Sequence, residues 1–289
     1  MIFILGSCLY EITFISGQPQ WSGPGGSALN TSVSLARSDN RVQLLTELGR
    51  DKLSDLIARF LNENGVVIDQ QRYQGKTRLS LAFVDDAGEA NYVFYEDTPV
   101  KAPLFDLPAI SHQDVALLGS LYSIQERNKQ NVDAYLEKAT KAGAYLIYDP
   151  NFRKTFNEFD FSNRIKQIIG NVDLVRASCD DMLGIAGVDT GRQAYEYVKS
   201  CGCTNFIYTR NGGDVDLFTA EFHRTYPSKK IPVVSSIGAG DGFNAGLISF
   251  ISKNREISQN MDFWDKAIES GLIFAAAVCG SHENYIGNR

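Results

Sequence analysis

The sequence predicts an α/β fold in which a mainly parallel sheet is flanked by helices. Short apolar runs bounded by turn residues alternate with stretches of helical period, the pattern of strand–helix–strand units. Many of the runs are almost continuously apolar, as expected of strands buried on both faces. Hydrophobic residues make up 44% of the 289 positions and charged residues 21%, a composition that supports a large core and argues against disorder.

Two sets of segments carry this alternation. The predicted strands are residues 2–6, 42–47, 115–119, 144–149, 172–177 and 205–209. The predicted helices are residues 27–37, 52–64, 127–142, 192–200 and 242–253, in which apolar residues recur at helical spacing. Because the chain contains neither an internal repeat nor a low-complexity linker, we expect a single domain spanning residues 1–289.

One region departs from the alternation. Two extended runs, 78–85 and 89–96, are joined at Ala87-Gly88, which is typical of a β-hairpin. Residues 9–24 are also extended in character. These segments could form a peripheral antiparallel patch, but we expect a small β lid, near 9–24 and 78–96, that closes over a ligand at the carboxyl edge of the main sheet.

The bulk composition restricts the possible partners. The net charge of −6 provides no basic surface for a phosphate backbone, so we expect no nucleic-acid partner. No apolar run reaches the roughly 18 residues of a membrane span, and residues 1–5 are interpreted as a first strand rather than a signal peptide. An odd count of five cysteines is typical of a reducing compartment, and we predict a cytoplasmic protein.

A protein-borne metal site is not expected. Cys201 and Cys203 could be interpreted as half of such a site, but no second cluster accompanies them, and a structural role is the simpler interpretation. The three histidines form no triad or metal-ligand pattern.

The most informative segment is residues 231–246. A strand is predicted to run to Ser235, followed by a tight turn at Gly238-Ala239-Gly240 and then a helix. The first N–H groups of a helix lack partners within it and its dipole is positive there, so this turn can bind a phosphate. Asp241 lies in the same turn, where a carboxylate can accept the proton of a hydroxyl that attacks a γ-phosphoryl group.

Other interpretations of this turn compete. A Rossmann pyrophosphate loop needs a third glycine where the chain has Phe243, and the Walker A pattern ending in Gly-Lys-Ser/Thr is absent. A purely structural strand–turn–helix with an acidic first turn stays open on spacing alone.

The segment Gly238-Ala239-Gly240-Asp241 resembles the C-terminal signature of the ribokinase-like (phosphofructokinase-B) carbohydrate kinases. Residues 25–30, Gly-Gly-Ser-Ala-Leu-Asn, are similar to the Gly-Gly-x-x-x-Asn segment of that family. Residues 149–153, Asp-Pro-Asn-Phe-Arg, are similar to the Asp-Pro-Asn-x-Arg of its fructokinase-like members. With residues 48–51 and 64–66 in its first signature region, the resemblance covers essentially the whole chain in the family's order.

The resemblance implies roles at the reacting end. Asp241 would be the general base, and the turn that begins at Gly238 would present the N–H groups of Ala239, Gly240 and Asp241 as an anion hole. Arg153 would approach the transferred phosphate, although it could instead be a surface residue. ATP would be the phosphoryl donor, with Mg²⁺ held mainly by its phosphates and water.

The resemblance also implies sugar contacts, and here the chain departs from the family. Gly26 and Asn30 would contact sugar hydroxyls, although Asn30 could simply hydrogen-bond a loop. Where the family has an Asp on an early strand, this chain has Glu11, which keeps the carboxylate but is one methylene longer.

The segments that handle the nucleotide in the family are altered as well. They correspond here to Ser178, in Ser-Cys-Asp-Asp, and to Thr209, Asn211 and Gly212, in a turn with displaced glycines. Many relatives need potassium near an Asp six residues before the base. Ser235 occupies that position here, so we expect activity nearly independent of potassium.

These features together predict phosphorylation of a sugar hydroxyl by MgATP, with a ketohexose such as fructose as the first candidate. Ribokinase or nucleoside kinase activity is an alternative, as is a catalytically weak sugar- or nucleotide-binding protein on the same scaffold. We also expect a homodimer, in which exposed apolar lid residues such as Phe14 and Trp21 pair with a second subunit.

Overall fold

The computed structural model describes residues 1–85, 90–152, 161–228, 231–254 and 260–287. The chain divides into two compact units: unit 1 comprises Met1–Asp106 and Ile231–Arg289, and unit 2 comprises Leu107–Lys230. In both, parallel strands are flanked by helices, so the predicted fold class is confirmed. The single domain spanning 1–289 stays a prediction.

Unit 1 contains three parallel strands in the order β1-β4-β5. Its strands and the helices that follow them in the chain are β1 (Ile2–Leu5), α1 (Ser27–Ala36), β4 (Val42–Leu48), α2 (Lys52–Glu63) and β5 (Val67–Arg72). Every residue of β1 is buried, as its continuous apolar run predicts. The strand at 42–47 and the helices at 27–37 and 52–64 are confirmed to within a residue or two.

A second sheet in unit 1 corresponds to the predicted lid segments. Its strands are β2 (Leu9–Ile15), β3 (Gln18–Gly25), β6 (Leu79–Val84) and β7 (Ala90–Tyr95), in the order β3-β2-β6-β7. β6 and β7 pair antiparallel as the hairpin signal predicts, and the turn residues Ala87 and Gly88 lie outside the described residues. The sheet is mixed rather than antiparallel, because β2 pairs parallel with β6.

Two long helices complete unit 1, α8 (Ala239–Lys253) and α9 (Met261–Cys279). Glycines allow them to pack closely: a Cβ at Gly246 would lie 2.2 Å from the carbonyl oxygen of Ser270, and a Cβ at Gly242 would lie 2.8 Å from Val278 Cγ2. These glycines of the conspicuous 238–246 segment therefore serve helix packing.

The prediction of a strand that ends at Ser235 is wrong. Residues 231–236 form no strand, and the side chains of Val233 and Val234 are largely exposed. Pro232 has no N–H to donate to a ladder, while the N–H groups of Val234 and Ser235 both donate to the carbonyl oxygen of Cys279 at the end of α9. The apolar run therefore covers a helix end instead of joining a sheet.

Unit 2 contains a sheet in the order β13-β12-β11-β10-β9-β8, in which β8 to β11 are parallel and β12 and β13 antiparallel. Its strands are β8 (Val115–Gly119), β9 (Tyr145–Asp149), β10 (Leu174–Ser178), β11 (Phe206–Thr209), β12 (Val215–Phe218) and β13 (His223–Tyr226). Its helices are α3 (Ser120–Ile124), α4 (Lys129–Ala142), α5 (Ser162–Ile169), α6 (Cys179–Ala186) and α7 (Gly191–Ser200). Among the described residues, no helix is long and apolar enough to cross a membrane.

Candidate active site

The turn before α8 depends on a glycine. Gly238 is the N-cap of the helix with φ 82°, a left-handed conformation that glycine adopts without steric cost. A Cβ at this position would lie 2.3 Å from the carbonyl oxygen of Asn284. Any other residue at Gly238 would therefore displace either the turn or the C-terminal segment.

Asp241 lies in the first turn of α8 and is held by α1. The side-chain amide of Asn30 donates a hydrogen bond to Asp241 Oδ2 at 2.8 Å. The neighbouring Thr31 hydroxyl donates to the carbonyl oxygen of Asp241 at 3.3 Å. Asn30 is buried, so the carboxylate is oriented by a group that is itself fixed.

Two of the three predicted anion-hole amides, those of Ala239 and Gly240, differ in availability. The N–H of Ala239 donates to the carbonyl oxygen of Ser236 at 3.2 Å, so it is already engaged. The N–H of Gly240 is one of the first amides of α8, which have no carbonyl partner inside the helix. Since the positive end of the helix dipole lies here as well, Gly240 is the better placed donor for an anion.

Gly26 positions Asn30. Gly26 is the N-cap of α1 with φ 102°, and a Cβ there would lie 2.9 Å from the carbonyl oxygen of Ser7. Its own carbonyl oxygen accepts the first helical hydrogen bond, from the N–H of Asn30 at 2.9 Å. The glycine pair of the 25–30 motif therefore begins the helix that carries Asn30 beside Asp241.

Glu11 lies on β2 and is buried, with 5% of its surface exposed. The side-chain amide of Asn284 donates to Glu11 Oε1 at 3.0 Å, in a buried contact between residues 273 positions apart. On β3, Gly23 pairs with Glu11, and a Cβ at Gly25 would lie 3.4 Å from Glu11 Cβ. A side chain at Gly25 would therefore lie directly against the side chain of Glu11.

Sequence reasoning missed Asn284. The residue lies after α9 and outside every motif, and the partners that the described residues give it are distant in sequence. No local pattern could have identified it, because its importance arises from the tertiary contact with Glu11 and the approach to Gly238.

The residues expected to handle the nucleotide all lie in unit 2. Ser178 is the N-cap of α6, and it forms a capping box with Asp181. The Asp181 carboxylate also accepts a hydrogen bond from the N–H of Phe152 at 2.6 Å. Burial raises the pKa of Asp181, and the nearby charge of Asp149 raises it further. Ser178 therefore has a structural role at the start of α6.

Thr209 ends β11 and belongs to a polar cluster. Its hydroxyl accepts a hydrogen bond from Arg176 at 2.7 Å, and Arg176 forms a buried ion pair with Asp149 at 3.0 Å. In the following turn, Asn211 donates to Asp180 at 2.9 Å and Gly212 adopts φ 61°. This turn links β11 to β12.

Arg153 lies outside the described residues. The segment before it is held by two carboxylates, since the N–H of Asn151 donates to Asp149 at 2.9 Å and that of Phe152 to Asp181. Over the described ranges, no group of three or more His, Cys, Asp or Glu side chains could hold a metal ion.

The sequence matches the pfkB family carbohydrate kinases over residues 2–287. Aminoimidazole riboside kinase of Salmonella typhimurium is 24% identical, with 97% of this chain and 88% of that protein covered. Fructokinase-1 of Zea mays is 27% identical, with 89% of this chain and 81% of that protein covered.

Solved structures share the fold. The structure of aminoimidazole riboside kinase from Salmonella enterica, complexed with aminoimidazole riboside and an ATP analog, superposes with a TM-score of 0.86 at 19% identity and covers 97% of this chain and 94% of that one. A double mutant of fructokinase from Vibrio cholerae O395, in a form with bound fructose, ADP and potassium ion, gives a TM-score of 0.85 at 17% identity, covering 98% and 94%.

Proposed function

Because the chain belongs to the pfkB family of carbohydrate kinases and is an ATP-dependent sugar kinase, we propose that it phosphorylates a hydroxyl of a ketohexose such as fructose. The main support for the proposed site is the hydrogen bond between Asn30 and Asp241. It places an oriented carboxylate in the first turn of α8, beside amide donors at the positive end of the helix.

The chemistry follows from this geometry. Asp241 accepts the proton of the sugar hydroxyl while its oxygen attacks the γ-phosphorus of ATP. The bond between the γ-phosphorus and the bridging oxygen breaks, and ADP leaves with that oxygen. The N–H of Gly240 donates to the phosphoryl oxygens during transfer. Mg²⁺ bound with ATP neutralises part of the phosphate charge.

The sugar is held by groups of unit 1. Glu11 accepts hydrogen bonds from sugar hydroxyls through its carboxylate. Asn30 Oδ1 is buried and has no hydrogen-bond partner among the described residues. A buried acceptor without a partner is costly, and a sugar hydroxyl would satisfy it.

ATP is assigned to residues of unit 2. Thr209, Asn211 and Gly212 occupy the end of β11 and the turn after it, which corresponds to the nucleotide turn of the family. Ser178 is assigned to the same role, although its hydroxyl also caps α6. Arg153 is assigned to the transferred phosphate on the basis of the Asp-Pro-Asn-x-Arg motif alone.

Two kinds of substrate are supported. The Asp-Pro-Asn-x-Arg motif and the relatives named fructokinase favour fructose. A riboside is the second candidate, because a relative of similar identity is named aminoimidazole riboside kinase. Glu11 extends its carboxylate one methylene further than the usual Asp, and the preference between fructose and a riboside depends on this residue.

A homodimer is also proposed, formed through the sheet β3-β2-β6-β7. Phe14 and Trp21 are only partly exposed, so the expectation of exposed residues at those positions is wrong. Phe14 stacks on Phe83 within the sheet. The apolar side chains that this sheet does expose are Ile15, Phe83, Val93 and Tyr95. Such a surface is suited to pairing with a second copy.

The experiment is ADP release from the purified protein with MgATP and a panel of ketoses, aldoses, sugar acids and ribosides, with a reaction lacking sugar as the control. We expect fructose to give the highest kcat/KM. A higher kcat/KM for a riboside would replace the proposed substrate. ADP release that no sugar or riboside increases would refute the proposed function and favour a binding role.

A further inference from the structure

We propose that Asn284 is a positioning residue, which fixes the sugar-binding carboxylate Glu11 relative to the phosphate-binding turn at Gly238. This inference rests on the proposed function, because it concerns the carboxylate and the turn that the proposed function assigns to the sugar and to the phosphate. It assigns a role to a residue that lies outside all of the motifs.

Asn284 contacts both groups by different atoms. Its side chain donates to Glu11 Oε1 at 3.0 Å, and its carbonyl oxygen is the atom that a Cβ at Gly238 would approach to 2.3 Å. Only 3% of Asn284 is exposed. One buried residue therefore sets the distance between the carboxylate that holds the sugar and the turn that receives phosphate.

The segment that carries Asn284 is anchored to α1. Arg37 donates to the carbonyl oxygen of Ile286 at 2.6 Å and pairs with Glu283 at 2.9 Å. The guanidinium of Arg37 also lies 4.8 Å from the ring centre of Tyr285. The N–H of Ile286 donates to the hydroxyl of Ser34 at 3.2 Å. Because α1 also carries Asn30, the anchors of Glu11 and Asp241 share one helix.

The length of Glu11 explains why such an anchor is needed. A glutamate has one more rotatable bond than an aspartate, so its carboxylate has more positions to sample. A buried hydrogen bond from a fixed amide selects one of them. The residue at position 284 must be a hydrogen-bond donor, because the carboxylate of Glu11 is an acceptor and a second acceptor beside it would repel it.

The test compares Asn284→Ala with Asn284→Asp in steady-state kinetics, measuring KM for the sugar and for ATP separately. Loss of a hydrogen bond to a charged group should raise the sugar KM roughly tenfold in Asn284→Ala. Asn284→Asp should be worse, although it is closer in shape, because it replaces the donor by a carboxylate beside Glu11. KM for ATP should change less than about twofold in both variants.

Glu283→Gln is the matched control, since it removes the ion pair to Arg37 in the same segment without altering Asn284. It should retain the wild-type sugar KM within about twofold, because the hydrogen bonds of Ile286 to Arg37 and Ser34 still anchor the segment and a half-exposed ion pair contributes little. Thermal melts identify any variant that does not fold. If the wild type is active and folded Asn284→Ala has an unchanged sugar KM, this inference is wrong while the proposed function stands. The same holds if the sugar KM of Asn284→Asp is lower than that of Asn284→Ala. A wild type without sugar-dependent turnover overturns the proposed function and this inference with it.

Discussion

The side-chain amide of Asn30 donates a 2.8 Å hydrogen bond to Oδ2 of Asp241, across 211 positions of sequence. Both residues lie near helix starts, Asn30 in the first turns of α1 and Asp241 in the first turn of α8. The family resemblance assigns Asn30 to the sugar. The hydrogen bond adds a second task, which is to orient the general base.

We therefore predict that Asn30→Asp lowers kcat as well as raising the sugar KM. The substitution keeps the size of the side chain but replaces the donor by a carboxylate, and two carboxylates at this distance share a proton at neutral pH. We expect kcat to fall roughly 100-fold or more, as when a general base is lost. Steady-state kinetics measures both parameters.

Thr31→Val is the control for that variant. Thr31 contacts the main-chain oxygen of Asp241 and not its carboxylate, so we expect kcat of Thr31→Val to fall less than about tenfold. An equal fall in kcat in Asn30→Asp and Thr31→Val would contradict this prediction, because it would mean that both substitutions only disturb the packing of α1.

The sheet β3-β2-β6-β7 is predicted to close over the sugar. If residues 9–24 and 78–96 form a lid, saturating sugar should slow amide hydrogen exchange in both segments. Hydrogen exchange followed by mass spectrometry measures this, with helix α7 in unit 2 as an internal reference. Unchanged exchange in both segments, at a sugar concentration that saturates turnover, would show that the sheet is not a lid.

Asp51 predicts a pH dependence of stability. Burial acts to raise the pKa of Asp51, but hydrogen bonds from Ser54 and Thr77 outweigh it and lower the pKa below its ordinary value. A carboxylate with a lowered pKa in the folded state contributes stability above its ordinary pKa, and that contribution is lost as the pH falls through the folded value. Asp51→Asn should therefore cost about 1 kcal/mol at neutral pH, and the difference should shrink below about pH 4.

Urea unfolding of wild type and Asp51→Asn at several pH values tests this. Asp55→Asn is the control, because the side chain of Asp55 is exposed and its ion pair with Arg72 is long, at 3.5 Å. A stability difference between wild type and Asp51→Asn that is the same at neutral and acid pH would contradict the assignment.

Ser235 underlies the expectation that potassium is dispensable. Its hydroxyl oxygen accepts a hydrogen bond from the N–H of Ile237 at 3.2 Å, and its own N–H donates to Cys279 at 3.3 Å. The segment before the turn is thus held by protein groups, and a neutral hydroxyl compensates a cation far less than a carboxylate does. Initial rates in tetramethylammonium buffer, with potassium titrated at constant ionic strength, should vary less than about twofold. A saturable rise of about tenfold would show that a potassium site exists despite Ser235.

Much of the fold could be predicted from local signals. The strand at 115–119 agrees with the structure at both ends, because a continuous apolar run between polar turns has few alternatives. The hairpin of β6 and β7 was indicated by its turn and spacing. The prediction of a strand at 231–235 was wrong although this segment is also apolar. A strand requires a neighbouring strand to pair with, whereas this segment hydrogen-bonds to the end of a helix.

The candidate site divides in the same way. Asp241, Gly238 and Asn30 belong to motifs and could be named from sequence. Asn284 could not, since its contact with Glu11 depends on the folding of the chain around α1. Nor could sequence reveal that the N–H of Ala239 is already used in the turn.

The most direct test of the central claim is the turnover of Asp241→Asn on the sugar that the wild type prefers. If Asp241 is the general base, kcat should fall roughly 10²–10⁴-fold while sugar and ATP still bind. Calorimetric binding of both ligands and a thermal melt establish that the variant is folded and competent to bind. A folded Asp241→Asn protein with near-normal kcat would show that another group takes the proton, and the proposed site would be wrong.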